Sequence, residues 1–257
     1  MILRSRWLIV SALLANSTLG VSSAWSRSPG CRDIAPGVAS ASSQSDCITV
    51  EPGAGIVIDG TLCTVGFILS GSDRSRYAVT AGHCSKGLPV GTPVLAEDGS
   101  TLIGRLAYSE HETRLAMRDT AVVRLLPKAH VRARAEVIDG PHGSFEGLTT
   151  APFAIQHVGR GTGISLVKED RKGVVLAATD ADVLHADLAL SFNDSGCPVF
   201  MTDGRALGWA VAIDSSSLYD ASTSPPATAA GWIVIRIGPV LKRASKALHT
   251  KLTLVNA

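Results

Sequence analysis

The sequence predicts an all-β fold, a sandwich or a barrel, on three observations. Short apolar runs recur along most of the chain, and residues that favour turns bound each run, as is typical of strands. No helical periodicity separates neighbouring runs, which argues against alternating strands and helices. A helical pattern occurs only near the carboxyl end, where Pro239 precedes apolar residues at three- and four-residue spacing.

Length and composition limit the classes of protein that this chain can be. With 257 residues, of which 46% are hydrophobic, it can bury one large core or two smaller ones. The 24 Lys and Arg residues nearly balance the 22 Asp and Glu residues, and no stretch concentrates the basic ones. Nucleic acid is therefore not expected as a partner.

The amino terminus has the three regions of a secretory signal peptide. Arg4 and Arg6 precede an apolar stretch at residues 7–19, and small residues follow up to Ala24, after which we expect cleavage. A retained membrane anchor is the alternative, but polar residues interrupt the stretch and it is shorter than the ~20 residues that span a bilayer. We therefore expect residues 1–24 to be removed and a secreted protein without a membrane span.

Apolar runs and turn residues predict an arm, two sets of strands, a loop and a helix along the chain. Residues 25–52 are rich in Ser, Ala, Pro and Gly and predict an irregular amino-terminal arm. The first set of predicted strands lies at residues 55–58, 63–69, 77–81, 93–96, 102–107 and 120–126. The second set lies at residues 153–157, 164–167, 174–178, 186–190, 198–201, 206–213 and 232–237. Residues 215–230 predict a surface loop, and one helix begins near Pro239.

The cysteines fit an exported protein. Five cysteines in an oxidising compartment can form two disulfides and leave one thiol, and their spacing does not choose among the pairings. A pair of Cys31 with Cys47 could staple the arm. No Cys-x-x-Cys pair occurs, and the histidines other than His83 are scattered along the chain without the spacing of metal ligands. We therefore expect neither a zinc site nor another metal or organic cofactor.

Three segments place a reactive side chain beside a strand or in a tight turn. His83 lies in residues 80–84 (Thr-Ala-Gly-His-Cys), Asp119 begins a buried strand, and Ser195 lies in residues 193–198 (Asn-Asp-Ser-Gly-Cys-Pro). Each alone has an ordinary structural explanation. Together they supply the nucleophile, the base and the orienting acid that acyl transfer needs.

These motifs resemble those of the chymotrypsin-like serine endopeptidases, in which the histidine lies in Thr-Ala-Ala/Gly-His-Cys and the serine in Gly-Asp-Ser-Gly-Gly-Pro. Residues 63–67 (Cys-Thr-Val-Gly-Phe) and 158–163 (Val-Gly-Arg-Gly-Thr-Gly) are similar to segments of the secreted, streptogrisin-like bacterial branch. The resemblance covers about residues 53–250. It implies a Cys63–Cys84 disulfide and His83, Asp119 and Ser195 as a catalytic triad.

The resemblance also implies an architecture. The family has two six-stranded antiparallel β-barrels with the active site between them and a short carboxyl-terminal helix. We therefore expect the first barrel at residues 53–137 and the second barrel, with the helix, at residues 138–257.

The sequence departs from the family at the site. Asn193 stands at a usual glycine, Cys197 at a usual small residue and Val211 near a usual serine. The implied oxyanion hole consists of the N–H groups of Asn193 and Ser195. Asn reaches positive φ more readily than most residues, so we expect the turn to form with a partial cost to catalysis. Cys197 is interpreted as a small buried hydrophobe rather than a regulatory thiol.

Asp194 in the family holds the oxyanion turn by an ion pair. The arginine that would pair with it here is not identifiable from the sequence.

The implied substrate pocket has Ala189 at its base and Val211, Ala212 and Ile213 along its wall. No acid is present to receive Lys or Arg, so cleavage after small or medium aliphatic residues is expected.

The resulting hypothesis is a secreted serine endopeptidase that hydrolyses polypeptides through an acyl-enzyme; the oligomeric state stays open. The alternative is a catalytically impaired homologue that serves as a secreted binding module. An α/β-hydrolase esterase is not favoured, because the triad order differs and Gly-x-Ser-x-Gly is absent.

Overall fold

A computed structural model describes residues 49–111, 118–135, 137–147, 150–160, 171–178, 181–213 and 232–257. The predicted signal peptide, most of the predicted arm with Cys31 and Cys47, the predicted strand at 164–167 and the predicted loop at 215–230 lie outside these ranges. The side chains of residues 212 and 213 are also not described. No helix in the described ranges is long and apolar enough to cross a membrane.

The amino-terminal half is built from short strands. In chain order they are β1 (Thr49–Val50), β2 (Gly55–Ile58), β3 (Thr61–Thr64), β4 (Ile68–Gly71), β5 (Arg76–Thr80), β6 (Pro93–Ala96), β7 (Leu102–His111), β8 (Asp119–Leu125) and β9 (His130–Val131). A 3₁₀ turn at Gly82–Cys84 follows β5. β1 and β9 form a separate two-stranded parallel sheet.

The carboxyl-terminal half forms a closed barrel. Its strands are β10 (Phe153–His157), β11 (Arg171–Ala178), β12 (Val183–Leu188), β13 (Pro198–Met201), β14 (Ala206–Ile213) and β15 (Trp232–Arg236). The order β10-β11-β12-β15-β14-β13 closes because β13 pairs back with β10, and every pair is antiparallel. Helix α1 (Ile237–Ala247) and strand β16 (Leu252–Leu254) complete the chain.

The all-β fold, the closed six-stranded barrel and the single α-helix of the described ranges agree with the expectation. The amino-terminal half differs from the six-stranded closed barrel that was expected. It is an open sheet of eight strands in the order β16-β4-β5-β8-β7-β6-β2-β3, which uses the last strand of the chain. β16 pairs Leu252 with Gly71, and its three residues gave too short a pattern to predict a strand.

The predicted strand at 63–69 is interrupted at Val65–Phe67. There the backbone leaves the regular ladder: the Val65 N–H donates to the Ala54 carbonyl at 2.8 Å, and the Gly66 N–H donates to the Val79 carbonyl at 2.7 Å. A Cβ at Gly66 would lie only 2.9 Å from the Gly196 carbonyl oxygen. The interruption therefore lets the two halves of the molecule approach closely.

The buried faces of the described strands form two hydrophobic cores. β5 and β8 are almost continuously buried, as expected for central strands of a covered sheet. One core fills the space behind the amino-terminal sheet and continues to Trp209 of β14 and to α1. The other lies inside the barrel. The buried face of α1 consists of Ile237, Val240 and Ala244, which recur at three- and four-residue spacing.

A disulfide and an ion-pair cluster cross-link these elements. Cys63 of β3 is bonded to Cys84 of the 3₁₀ turn, the pairing that the resemblance implied. Closing a loop with a sequence separation of 21 stabilises the fold by about 3 kcal/mol in the chain-entropy model. Arg243 of α1 binds Glu110 of β7 at 3.0 Å and also binds Asp182, so one guanidinium joins the helix, the sheet and the barrel.

Candidate active site

His83 and Asp119 form a doubly bonded pair. The Asp119 carboxylate accepts the backbone N–H of His83 on Oδ1 at 2.7 Å and the ring Nδ1–H on Oδ2 at 2.8 Å. The strand pairing produces this contact, because Thr80 at the end of β5 lies opposite Ala121 of β8. The Asp119 side chain is 2% exposed and that of His83 is 25% exposed. The carboxylate thus fixes the ring and leaves Nε2 free for other chemistry.

Gly82 makes this pair possible. A Cβ at this position would lie 2.0 Å from the Glu110 carbonyl oxygen and 2.6 Å from the Thr120 nitrogen. Both atoms belong to the backbone and cannot move aside. Only glycine therefore allows the 3₁₀ turn to rest on β7 and β8.

His111 also contacts Asp119 and was not singled out by the sequence. It is the last residue of β7, opposite Asp119 in the β7–β8 ladder, and its Nδ1 lies 3.6 Å from Oδ1. The rings of His83 and His111 are 6.1 Å apart. No local pattern signals this contact: the predicted strand ended at residue 107, whereas β7 continues to His111, and the position of His111 opposite Asp119 depends on the pairing register.

Ser195 lies in a tight segment that we define as the serine turn, residues 191–197. Within it the Asp194 N–H donates to the Ser191 carbonyl at 3.1 Å and the Cys197 N–H donates to the Asp194 carbonyl at 2.7 Å. Asn193 has a φ of 77°, the left-handed conformation expected for it. The serine turn is therefore internally hydrogen-bonded with Asn in the place of glycine.

The serine turn packs directly on the segment that carries His83. The Thr64 N–H donates to the Ser195 carbonyl at 2.9 Å. A Cβ at Gly196 would lie 2.2 Å from Thr80 Oγ1 and 2.9 Å from the nitrogen of Ala81, two residues before His83. The structure therefore brings the serine turn to the end of β5.

Within the described ranges no hydrogen bond joins Ser195 Oγ to the His83 ring. Such contacts are often long in proteins without substrate and tighten when substrate binds.

Two backbone donors of the serine turn are available. Neither the Asn193 N–H nor the Ser195 N–H donates to another residue of the described ranges. Both residues are partly exposed. These two donors are therefore candidates for an oxyanion hole, which in acyl-transfer enzymes consists of free N–H groups.

The arginine that pairs with Asp194 is Arg171, the first residue of β11. Its Nη1 binds Asp194 Oδ2 at 2.7 Å and its Nη2 lies 3.2 Å from Oδ1. Nη1 also donates to the Ala189 carbonyl at 3.0 Å, and the Ser191 N–H donates to Asp194 Oδ2 at 2.9 Å. The ion pair therefore holds the start of the serine turn in place from its buried side.

Two further titratable groups are fully buried, His157 of β10 and Cys197 at the end of the serine turn. His157 of β10 lies opposite Arg171, and burial, with the nearby Arg171 charge, lowers its pKa from 6.5 to about 3. Neither of its ring nitrogens has a hydrogen-bond partner among the residues that the structure describes. Burial, followed by the Asp194 charge, raises the pKa of the free Cys197 thiol well above its ordinary value. Cys197 is thus a protonated, fully buried side chain, as interpreted from the sequence.

The residues of the predicted substrate pocket are only partly described. Ala189 is partly exposed and follows β12, and Val211 is buried in β14. Ala212 and Ile213 continue β14, but their side chains lie outside the described part of the molecule. The backbone of Ala212 and Ile213 therefore lies in the strand that was predicted at residues 206–213.

One group of potential metal ligands occurs among the described residues: Cys63, His83 and Cys84 offer ligand atoms within 4.8 Å of one another. The two sulfurs are bonded to each other as a disulfide. They are therefore not thiolate ligands, and the group does not form a metal site.

No protein-family model and no curated protein sequence matches this chain. Among solved structures it is similar to Thermobifida fusca protease A, with a TM-score of 0.56 and 20% identity over 81% of this chain and 100% of that one. A Nocardiopsis protease matches with a TM-score of 0.56 and 19% identity over 80% of this chain and 98% of that one.

A third match is a glutamic acid specific serine protease that uses a histidine triad in substrate binding. It has a TM-score of 0.56 and 20% identity, over 80% of this chain and 100% of that one. The chain therefore has the chymotrypsin-like fold of bacterial serine proteases.

The first prediction concerns the Arg171–Asp194 pair. Arg171→Met should lower the free energy of unfolding by about 3–5 kcal/mol, because it leaves the Asp194 carboxylate buried without its cation. Denaturant unfolding at pH 7 measures the loss. In the double variant Arg171→Met/Asp194→Asn the uncompensated charge is absent, so most of the stability should return. Equal losses in the single and the double variant would contradict the assignment.

The second prediction concerns His157 and pH. The unfolded chain takes up a proton at this histidine near pH 6.5, whereas the folded protein does so only near pH 3. Stability is therefore lost as the pH falls through this window, at about 1.4 kcal/mol per pH unit.

His157→Leu should remove this loss and should be at least as stable as the parent at neutral pH, because it deletes two buried nitrogens that have no hydrogen-bond partner among the described residues. Urea unfolding between pH 7 and pH 4 tests it, with the exposed His142→Gln as the control. Parallel curves for the parent and His157→Leu would refute the buried, neutral histidine.

Proposed function

We propose that this protein is a serine endopeptidase with Ser195 as nucleophile, His83 as general base and Asp119 as orienting acid. The observation that carries the proposal is the double hydrogen bond between His83 and a buried Asp119 at the place where the serine turn packs. A buried carboxylate bonded to imidazole Nδ1 selects the tautomer whose Nε2 can accept a proton.

The chemistry follows from these positions. Ser195 Oγ attacks the scissile carbonyl carbon while His83 Nε2 takes its proton, and the imidazolium then gives that proton to the leaving amine. Water, activated by the same nitrogen, hydrolyses the resulting ester. The N–H groups of Asn193 and Ser195 would donate to the oxyanion of each tetrahedral intermediate. Asp119 stabilises the imidazolium and remains ionised throughout.

The proposed substrate is a polypeptide, and the proposed location is outside the cell. The signal peptide expected at residues 1–24 and the Cys63–Cys84 disulfide both favour an oxidising, extracytoplasmic compartment. One structural neighbour is specific for glutamic acid. In this chain the residues at the proposed pocket are Ala189 and Val211, so we propose a preference for small or medium aliphatic side chains before the cleaved bond.

A secreted binding module is the second candidate. It is favoured by the Asn193 side chain in the serine turn, where the family has glycine, and by the Ser195 hydroxyl, which makes no hydrogen bond to the described His83 ring. A binding module would bind peptides without forming a covalent intermediate, so the two candidates differ in their reaction with a serine-directed probe.

The third prediction tests the triad. A fluorophosphonate probe should label the mature protein, and Ser195→Ala or His83→Ala should abolish labelling and peptide hydrolysis. Asp119→Asn should lower kcat by on the order of 10⁴, because the amide favours the wrong imidazole tautomer. His249→Gln, a change in a histidine beyond the end of α1, serves as the control and should retain parental activity. Unchanged hydrolysis by Ser195→Ala would end the proposal.

The fourth prediction concerns specificity. A fluorogenic peptide library should give the highest kcat/KM for Ala, Val or Leu before the cleaved bond, because no acidic residue is expected at the pocket. Each missing or extra methylene in an apolar pocket is worth about 1–3 kcal/mol, so discrimination among aliphatic residues should be about 10- to 200-fold. A profile dominated by Arg or Lys would overturn the pocket assignment and leave the triad proposal standing.

A further inference from the structure

Thr64 makes two contacts with the serine turn that the triad does not require. It is the last residue of β3, follows the disulfide-bonded Cys63 and is fully buried. Its N–H donates to the Ser195 carbonyl at 2.9 Å, and its hydroxyl donates to the Asn193 carbonyl at 2.7 Å. One buried residue therefore fixes the carbonyl groups of both residues whose N–H groups are free.

The direction of the Thr64 hydroxyl is determined by its partners. The Arg160 N–H lies 3.3 Å from Thr64 Oγ1 and can only donate, whereas the Asn193 carbonyl can only accept. The single hydroxyl proton must therefore point at Asn193. The Thr64 hydroxyl is thus held in one orientation by two backbone groups.

Thr64 is itself held in place. The Thr80 hydroxyl donates to the Thr64 carbonyl at 2.7 Å, and Thr80 ends the strand that leads to His83. The adjacent disulfide ties Cys63 to Cys84, the residue after His83. The contact with the serine turn is therefore anchored to the same segment that carries the proposed base.

Asn193 needs such a contact more than glycine would. Its φ of 77° lies in the left-handed region, which disfavours residues with a Cβ. The Thr64 hydroxyl donates its 2.7 Å hydrogen bond to the carbonyl of Asn193 itself. It therefore fixes the orientation of the peptide group that follows the Asn193 Cα. No hydrogen bond of its side-chain amide to another described residue supports this conformation.

We propose that the Thr64 hydroxyl is a positioning group for the oxyanion hole: it holds Asn193 left-handed so that the N–H groups of Asn193 and Ser195 converge. The role in catalysis rests on the proposed function. The positioning itself does not, and the two are measured separately.

The test compares Thr64→Val, which keeps the shape and the backbone bond to Ser195 but removes the hydroxyl, with Thr64→Ser, which keeps the hydroxyl. On a small peptide ester Thr64→Val should lower kcat by about ten-fold, below the 10²–10³ seen when a donor is deleted outright, with KM within about three-fold. Its affinity for a peptide boronic acid should fall by a similar factor. Thr64→Ser should stay near the parent in all three quantities.

A second substitution separates positioning from general damage. Adding Asn193→Gly to Thr64→Val should recover most of the kcat, because glycine occupies the left-handed region without help. Thermal unfolding establishes that each variant is folded at the assay temperature. A folded Thr64→Val with parental kcat and boronic acid affinity would overturn the proposal, as would a loss that Asn193→Gly does not relieve.

Failure of the proposed function would look different. In that case the parent itself would neither react with the fluorophosphonate nor hydrolyse the ester. Backbone amide NMR would then test the positioning alone: the shifts of Asn193 and Ser195 should change in Thr64→Val and not in Thr64→Ser. Unchanged shifts in Thr64→Val would refute it.

Discussion

The site depends on one close contact between backbones. A Cβ at Gly66 would lie 2.9 Å from the Gly196 carbonyl oxygen, and a Cβ at Gly196 would lie 2.4 Å from the Thr64 carbonyl oxygen. Side chains are excluded on both sides, so residues 64–66 at the end of β3 and the serine turn meet backbone to backbone, as in a densely packed interior. Ser195 comes from the barrel and His83 from the open sheet, and this contact brings their segments together.

Buried charges fix the two segments that this contact brings together, the one with Ser195 and the one with His83. On the barrel side the Arg171–Asp194 pair braces the serine turn, and on the sheet side Asp119 braces His83. Each carboxylate is almost completely buried, and each accepts a backbone N–H as well as a cationic or ring donor. Such fully satisfied networks rigidify a site, and a preorganised site is what stabilisation of a developing oxyanion needs.

The sequence predicted the parts of this protein that depend on local pattern or on motif. Several strand bounds, such as those of β2 and β10, match the apolar runs, because these strands are bounded by turn residues. The resemblance led to the His83–Asp119 pair and the Cys63–Cys84 disulfide. Arg171 was not predictable, since nothing local marks an arginine as the partner of Asp194. The strand pairing that places His111 on Asp119 and adds β16 to the sheet is likewise non-local.

The most direct measurement is a crystal structure of the mature protein with a peptide boronic acid, whose tetrahedral boronate mimics the intermediate of acyl transfer. We expect a bond from boron to Ser195 Oγ and one boronate oxygen within hydrogen-bond distance, about 2.7–3.1 Å, of the N–H groups of Asn193 and Ser195. We also expect His83 to keep its bond to Asp119. A boronate bound away from Ser195, or one whose oxygen faces neither N–H group, would contradict the proposed catalytic site.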